Sequence, residues 1–301
     1  MPLKTQPFPL TQTEMDPAPA SDLRLACPDC RCLLEVAVQG YSCSHCNSLF
    51  ERLEGNVVDL FPKWNKPGDE VIYRLPDFKA QFPYLPEIRR YFYEKRLARW
   101  SMSWSHKNTT HLIGREVRGT SIDLGVGCGD HYAYVAGGEN LIGVDYDIHA
   151  MREARKNGVT APLFRVDLTR MPFADRSFDT IRSTNTFEHL YYLEICLEEI
   201  FRTLKDDGML VISFPVVGGF LMDLMSRLGP QKEFKRRYGL NWGKILKVEH
   251  CNTSRRILEA VRRIFVIEKI VWSPFGLPSH NLNMFITLKA RKNPEFQETR
   301  S

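Results

Sequence analysis

The chain has 301 residues, 43% of them hydrophobic, and a formal net charge of +5. That length holds one large domain or two smaller ones with a sizeable core, and the mild positive balance admits an anionic partner without requiring one. No apolar run approaches the roughly 18–20 residues of a membrane-spanning helix, which excludes a helical integral membrane protein.

The first residues, MPLKTQPFPLTQTEMDPAPA, lack the apolar centre of a signal peptide and are rich in Pro, Thr and Gln. Residues 1–21 are therefore expected to be a disordered tail, and the chain to be cytoplasmic. Five of the eight cysteines crowd into residues 27–46. With no export signal, that cluster suggests metal, and the scattered Cys128, Cys196 and Cys251 suggest reduced thiols. The stretch CPDCRCLLEVAVQGYSCSHC is a CxxC, twelve residues, and a second CxxC. Two such knuckles place four thiolates for a tetrahedral Zn²⁺, with Cys27, Cys30, Cys43 and Cys46 as the ligands. Cys32 and His45 are substitutes that would break the paired symmetry. Between the knuckles the sequence alternates like a strand, with a turn at Gly40. Residues 22–62 thus read as a small zinc-ribbon-like domain, too short to fold on its own core without help. The zinc there can be purely structural.

Residues 63–116 are aromatic and basic, with prolines at Pro67, Pro76, Pro83 and Pro86. They read as a helical linker or substrate cap. From about Ser121 strands and helices alternate. TSIDLGV is a buried strand and DHYAYVAGG a short helix. NLIGVDYD is a second strand, and DIHAMREARKNG an amphipathic helix with Asp147 as N-cap. APLFRVDL and FDTIRSTN are the third and fourth strands. LYYLEICLEEIFRTLKDDG is a helix, GMLVISFP a fifth strand, and IFVIEKIVW and LNMFITLKA a final pair. Such alternation predicts an α/β fold with a mainly parallel sheet covered on both faces.

The loop in SIDLGVGCGD asks for a ligand that backbone can approach closely. A dinucleotide fingerprint would place a third glycine at position 130, which is Asp130, an acid that would repel a pyrophosphate. No Gly-Lys-Ser/Thr follows, so the loop is not a P-loop. A cationic ligand without phosphates suits Asp123 and Asp130 better.

The order of five motifs supplies one. DLGVGCG, IGVDYD, RVDLTRMPFADRSFDTI, STNTFEHL and EEIFRTLKDDGMLVISFP together resemble the class I S-adenosylmethionine (SAM)-dependent methyltransferases, nearest the small-molecule branch that includes the ubiquinone and menaquinone methyltransferases. The resemblance covers about residues 115–290. It implies a Rossmann-like seven-stranded sheet over residues 117–292, an insertion at 215–250 and a tail at 293–301. It also implies the cofactor residues. Gly125, Gly127 and Gly129 pass under the methionine part. Asp123 acts on the SAM amino group, and Asp145 holds the ribose hydroxyls. Asp167 bonds the adenine amine, Leu168 offers a backbone N–H to the ring, and Asn185 lies near the methionine amino group.

Methyl transfer is an in-line displacement that gains most from positioning. A hydroxyl or carbon acid also needs a base. His189, with Glu188 and Tyr192 beside it, and His250 in KVEHCNTS are the candidates; the alternative is that Glu188–His189 merely starts a helix. Two segments can build the acceptor pocket. One carries Tyr84, Tyr91, Phe92, Tyr93, Trp100 and Trp104, and the other is the insertion. A small-molecule acceptor under a GGFLMDLM lid is the first reading. An RNA acceptor is the second, with Lys235, Arg236, Arg237 and Lys244 on phosphates and Tyr238 or Trp242 stacking. Peripheral membrane contact through FLMDLMSRLG is the third. A catalytically inactive zinc-ribbon adaptor is the non-enzyme alternative. Oligomeric state is left open.

Overall fold

The computed structural model describes residues 23–63, 95–114, 117, 119–135, 140–239 and 241–298. The expected tail at 1–21, the aromatic residues Tyr84, Tyr91, Phe92 and Tyr93, and residues 299–301 lie outside the described residues.

The N-terminal unit contributes four strands, β1 (Glu35–Ala37), β2 (Gly40–Ser42), β3 (Leu49–Leu53) and β4 (Val57–Asp59). Seven more follow: β5 (Thr120–Leu124), β6 (Asn140–Asp145), β7 (Leu163–Arg165), β8 (Phe178–Thr184), β9 (Leu204–Pro215), β10 (Phe265–Ser273) and β11 (Phe285–Lys292). All eleven join one mixed sheet in the order β1-β2-β3-β4-β7-β6-β5-β8-β9-β11-β10. The expected strand number is therefore corrected. Seven strands come from residues 120–292, and four from the cysteine-rich unit extend their edge. The link is β4, which pairs in parallel with β7, Val58 opposite Phe164.

This extension follows from burial. Leu25, Cys27, Tyr41, Phe50, Val58 and Leu60 belong to the same apolar cluster as Phe164, Phe173 and Phe178. Phe164 and Phe173 meet edge-on. Arg165 reinforces the seam: it pairs with Asp59 at 3.1 Å and donates to the Tyr146 carbonyl at 3.0 Å. Its guanidinium lies 4.7 Å from the Phe61 ring centroid. The small unit borrows a core it is too short to build alone.

Among the described residues the helices are α1 (Arg96–Ile113), α2 (Ile148–Lys156), α3 (Leu193–Thr203), α4 (Phe220–Leu228), α5 (Pro230–Tyr238), α6 (Trp242–Glu249), α7 (Ser254–Ile264) and α8 (Pro294–Glu298). Asp147 caps α2 as expected, accepting from the backbone of His149 and Ala150. The expected helix across residues 190–208 is shorter. The Thr203 hydroxyl turns back to the Glu199 carbonyl, and buried Leu204 leaves in extended conformation to pair with Phe178. Helix α1 lies along the sheet, its Leu112 and Ile113 against Val211 of β9. The DHYAYVAGG helix is a single 3₁₀ turn, Asp130–Tyr134.

The chain winds from β5 outward to β7 and returns to β8 on the other side of β5. The order reverses between β5 and β8, and the crevice outside their carboxyl ends is where α/β sheets hold ligands.

Candidate cofactor and acceptor site

The glycine loop leaves β5 at that crevice. Gly125, Gly127 and Gly129 all have left-handed backbone, with φ of 78°, 52° and 85°. A β-carbon on Gly125 would lie 2.2 Å from Thr186 Oγ1, and one on Gly129 would lie 2.4 Å from Val159 Cγ2. The loop is thus pressed against the segment after β8 on one side and against the end of α2 on the other. Asp145, last residue of β6, accepts the Gly127 N–H at Oδ2 and the Asp147 N–H at Oδ1, both at 2.8 Å. Asp167, two residues past β7, accepts the Thr169 N–H and hydroxyl and so caps the 3₁₀ turn that begins at Leu168.

Asn185, just after β8, holds φ of 56°, a conformation that asparagine tolerates better than most residues. Its N–H donates to the Ser213 carbonyl and its Nδ2 to Ser105 Oγ at 3.2 Å. Its Oδ1 is buried with no partner among the described residues. The carboxyl ends of four adjacent strands therefore carry Asp123, Asp145, Asp167 with Leu168, and Asn185, with the three glycines between them.

Beside Asp123 stands a pair of rings, His131 just after the loop and His106, the second of which the sequence did not announce. Asp123 is 1% exposed, and its Oδ2 lies 3.3 Å from His131 Nδ1. The His131 ring stacks on His106 of α1 at 5.5 Å, and His106 stacks on Tyr134 at 5.4 Å. Burial, with His131 close by, pushes the His106 pKa down to about 3. Asp123 Oδ1, His131 Nε2 and His106 Nδ1 are buried without partners among the described residues. No spacing rule links His106 to the glycine loop; only the packing of α1 brings them together. Of the aromatic residues expected to line the acceptor pocket, Trp100 and Trp104 pack against one another with rings tilted by 60°, and Trp100 is half exposed.

The two expected bases do come together. His189 and His250 stand 5.0 Å apart, ring centre to ring centre. His189 closes the 3₁₀ turn Phe187–His189 and donates Nδ1–H to the Glu249 carbonyl. Its Nε2 lies 3.7 Å from Glu188 Oε1. Burial pushes the Glu188 carboxyl up and holds His250 at about 3.

At the far edge of the sheet the four expected ligands converge. Cys27 and Cys46 sulfurs are 3.6 Å apart and those of Cys30 and Cys43 3.4 Å apart, with all four within 4.8 Å of one another. A tetrahedral Zn²⁺ with bonds of about 2.3 Å separates its sulfurs by about 3.8 Å, so the set fits the ion. Cys32 and His45 are not part of the cluster. Burial pushes the Cys27 and Cys43 thiols up, whereas Ser48 beside Cys46 draws that thiol down to about 6. The first knuckle is tied to the cofactor side: Arg170 donates to the carbonyls of Pro28 and Asp29, and Arg31 to that of Met171.

Residues 122–212 match the family model described as a methyltransferase domain. A protein of Encephalitozoon cuniculi named as a methyltransferase is 30% identical over 129 residues, 42% of this chain and 57% of that protein. An uncharacterized methyltransferase of Mycolicibacterium vanbaalenii is 32% identical over 130 residues, 40% of this chain and 51% of its own. A Mycobacterium tuberculosis protein described as an S-adenosylmethionine-dependent methyltransferase is 31% identical over 97 residues, 31% of this chain and 35% of its own. The chain thus spans about half, or less, of the length of these relatives. A solved SAM-dependent methyltransferase of Thermotoga maritima superposes with a TM-score of 0.50 at 18% identity, over 72% of this chain and 100% of that one, a likeness of fold alone. The matched segment begins inside β5 and ends inside β9, encloses the whole cradle, and is similar over that length to methyltransferase domains.

Proposed function

We propose that the protein transfers a methyl group from SAM to a small-molecule acceptor. The observation that carries the reading is the cradle: three left-handed glycines and the Asp145 carboxylate bonded to the Gly127 N–H, at the point where the strand order reverses. Asp145 would receive the ribose hydroxyls, Asp167 the adenine amine and the Leu168 N–H the ring. Asp123 and Asn185 would receive the methionine amino group, and each keeps a buried oxygen without a partner among the described residues. SAM supplies an electrophilic methyl on a sulfonium; the chain's part is to hold the acceptor in line and keep water out. The cysteine cluster holds one structural Zn²⁺ in this proposal.

The insertion favours a small acceptor over RNA. Trp242, a stacking residue in the RNA reading, is 3% exposed and packs on Phe234 at 5.0 Å, and Tyr238 also leans on Phe234 at 5.6 Å. Rings spent on packing are withdrawn from bases. The expected lid residues behave differently: Phe220, Leu224 and Leu228 form an exposed stripe on α4. The lid's base is pinned, because Leu221 N–H donates to the Asn281 carbonyl at 3.0 Å. Lys244 has no described side chain. Among the described residues no helix is long and apolar enough to cross a membrane.

The test is label transfer from methyl-tritiated SAM to fractionated extract at low and high salt, before and after ribonuclease. Activity that survives ribonuclease and depends little on salt is expected. Its loss on ribonuclease treatment would promote the RNA reading, and an absence of SAM binding would leave the adaptor.

A further inference from the structure

Glu188, His189 and His250 offer three donor atoms within 4.8 Å of one another, from two separate parts of the chain. We propose that they bind a first-row divalent transition cation, with the remaining coordination positions open to water or an oxygen ligand.

Four observations support the site. The first is the state of the carboxylate. Glu188 is 1% exposed, and its Oε2 is buried with no partner among the described residues. A buried carboxylate left unpaired is costly, and a cation offsets that cost directly. The second is the orientation of His189. Its Nδ1 donates to the Glu249 backbone carbonyl. This fixes the tautomer that leaves Nε2 with a free lone pair, the arrangement by which ligating histidines are held. That Nε2 lies 3.7 Å from Glu188 Oε1, too long for a hydrogen bond and suited to two ligands of one ion.

The third is His250, whose Nδ1 is likewise buried without a partner among the described residues. The fourth is the bracing. Asn252, wholly buried, donates its N–H to the Glu188 carbonyl and its Nδ2 to the carbonyls of Phe187 and Leu190. The turn that carries Glu188 and His189 is thereby tied to the segment that carries His250 before any ion arrives. The His189 side chain is 39% exposed, which gives the ion a way in.

Two imidazoles and one carboxylate suit Zn²⁺, Fe²⁺, Co²⁺ or Mn²⁺. The set is harder than the four thiolates of the N-terminal unit, so it holds Mn²⁺ better than they do. The site stands apart from the methyl-transfer reading and does not depend on it.

The test uses the full chain with its cysteine site filled with zinc. Mn²⁺, which thiolates hold poorly, is titrated against it and the free ion is followed by electron paramagnetic resonance. One bound Mn²⁺ per chain is expected, weakened more than tenfold in Glu188→Gln, His189→Ala and His250→Ala. His189→Ala changes a half-exposed residue and keeps the test meaningful if the buried variants unfold. Circular dichroism and SAM calorimetry on each variant separate lost ligands from lost fold. Absence of stoichiometric Mn²⁺ binding to the wild-type chain overturns the proposal, as does unchanged affinity in His189→Ala. Mn²⁺ binding to a chain that ignores SAM would sink the methyltransferase reading and leave the metal site standing.

Discussion

The Asp145 carboxylate accepts the backbone N–H of Gly127 at 2.8 Å. The acid proposed for the ribose is therefore also the acid that shapes the loop proposed to pass under the methionine part. Two motifs eighteen residues apart act as one structure.

Asp145→Ala should weaken SAM binding by roughly 10- to 100-fold, the equivalent of about 1–3 kcal/mol for hydrogen bonds to a charged group. Gly127→Val should weaken it at least as much, since a β-branched residue at φ of 52° is strained wherever it sits. Calorimetry with SAM measures both. Wild-type affinity in Gly127→Val would mean that the loop is not the cofactor cradle.

Gly129→Ala should destabilise the fold rather than the ligand site alone. Its β-carbon would meet Val159 Cγ2 at 2.4 Å, at φ of 85°. The expected loss is ~2–3 kcal/mol, from overpacking added to backbone strain. Urea denaturation reads it. A midpoint equal to the wild type would show that α2 moves aside freely.

Cys27→Ser and Cys46→Ser should each abolish the single zinc expected in the cysteine cluster, as measured by atomic emission. Thermal stability should fall by at least ~5 °C, because the unit shares the main core. SAM affinity should fall as well, by roughly 3- to 10-fold. The path is Arg170, which spans from the first knuckle's carbonyls to the turn after Asp167. The zinc should also be released on acidification, as thiolates take up protons. Full zinc retention in both variants would remove the assignment.

His106 should make stability fall as the solution is acidified. Its folded pKa is depressed to about 3 from 6.5. Below pH 6.5 the unfolded chain takes up a proton that the folded one refuses, so stability is full above that pH and drains away toward pH 3. The share due to His106 is about 3 kcal/mol at pH 4. His106→Gln should flatten the acid limb of a denaturation series between pH 6.5 and 4. An unchanged slope would mean that His106 is not shielded from water.

Local rules were enough for much of this protein. The paired CxxC spacing named the four cysteines that the fold brings within 4.8 Å of one another. Glycines, an acid at a strand end and alternating strands and helices marked the cradle, because each depends on residues a few positions apart. Asp147 as a cap is of the same kind. What the residues could not show is what approaches from far along the chain. The cysteine-rich unit reads as a separate small domain, yet β4 joins β7 across more than a hundred residues. That pairing was decided by an edge strand left open by the main sheet and by apolar faces with no other cover. His106 reaches His131, the neighbour of Asp123, only because α1 packs along the sheet. His250 reaches Glu188 only because Asn252 bonds the turn after β8. Nearest-neighbour chemistry is written in the sequence. Contacts between distant segments depend on which buried surfaces fit together, and only the packed tertiary structure settles that.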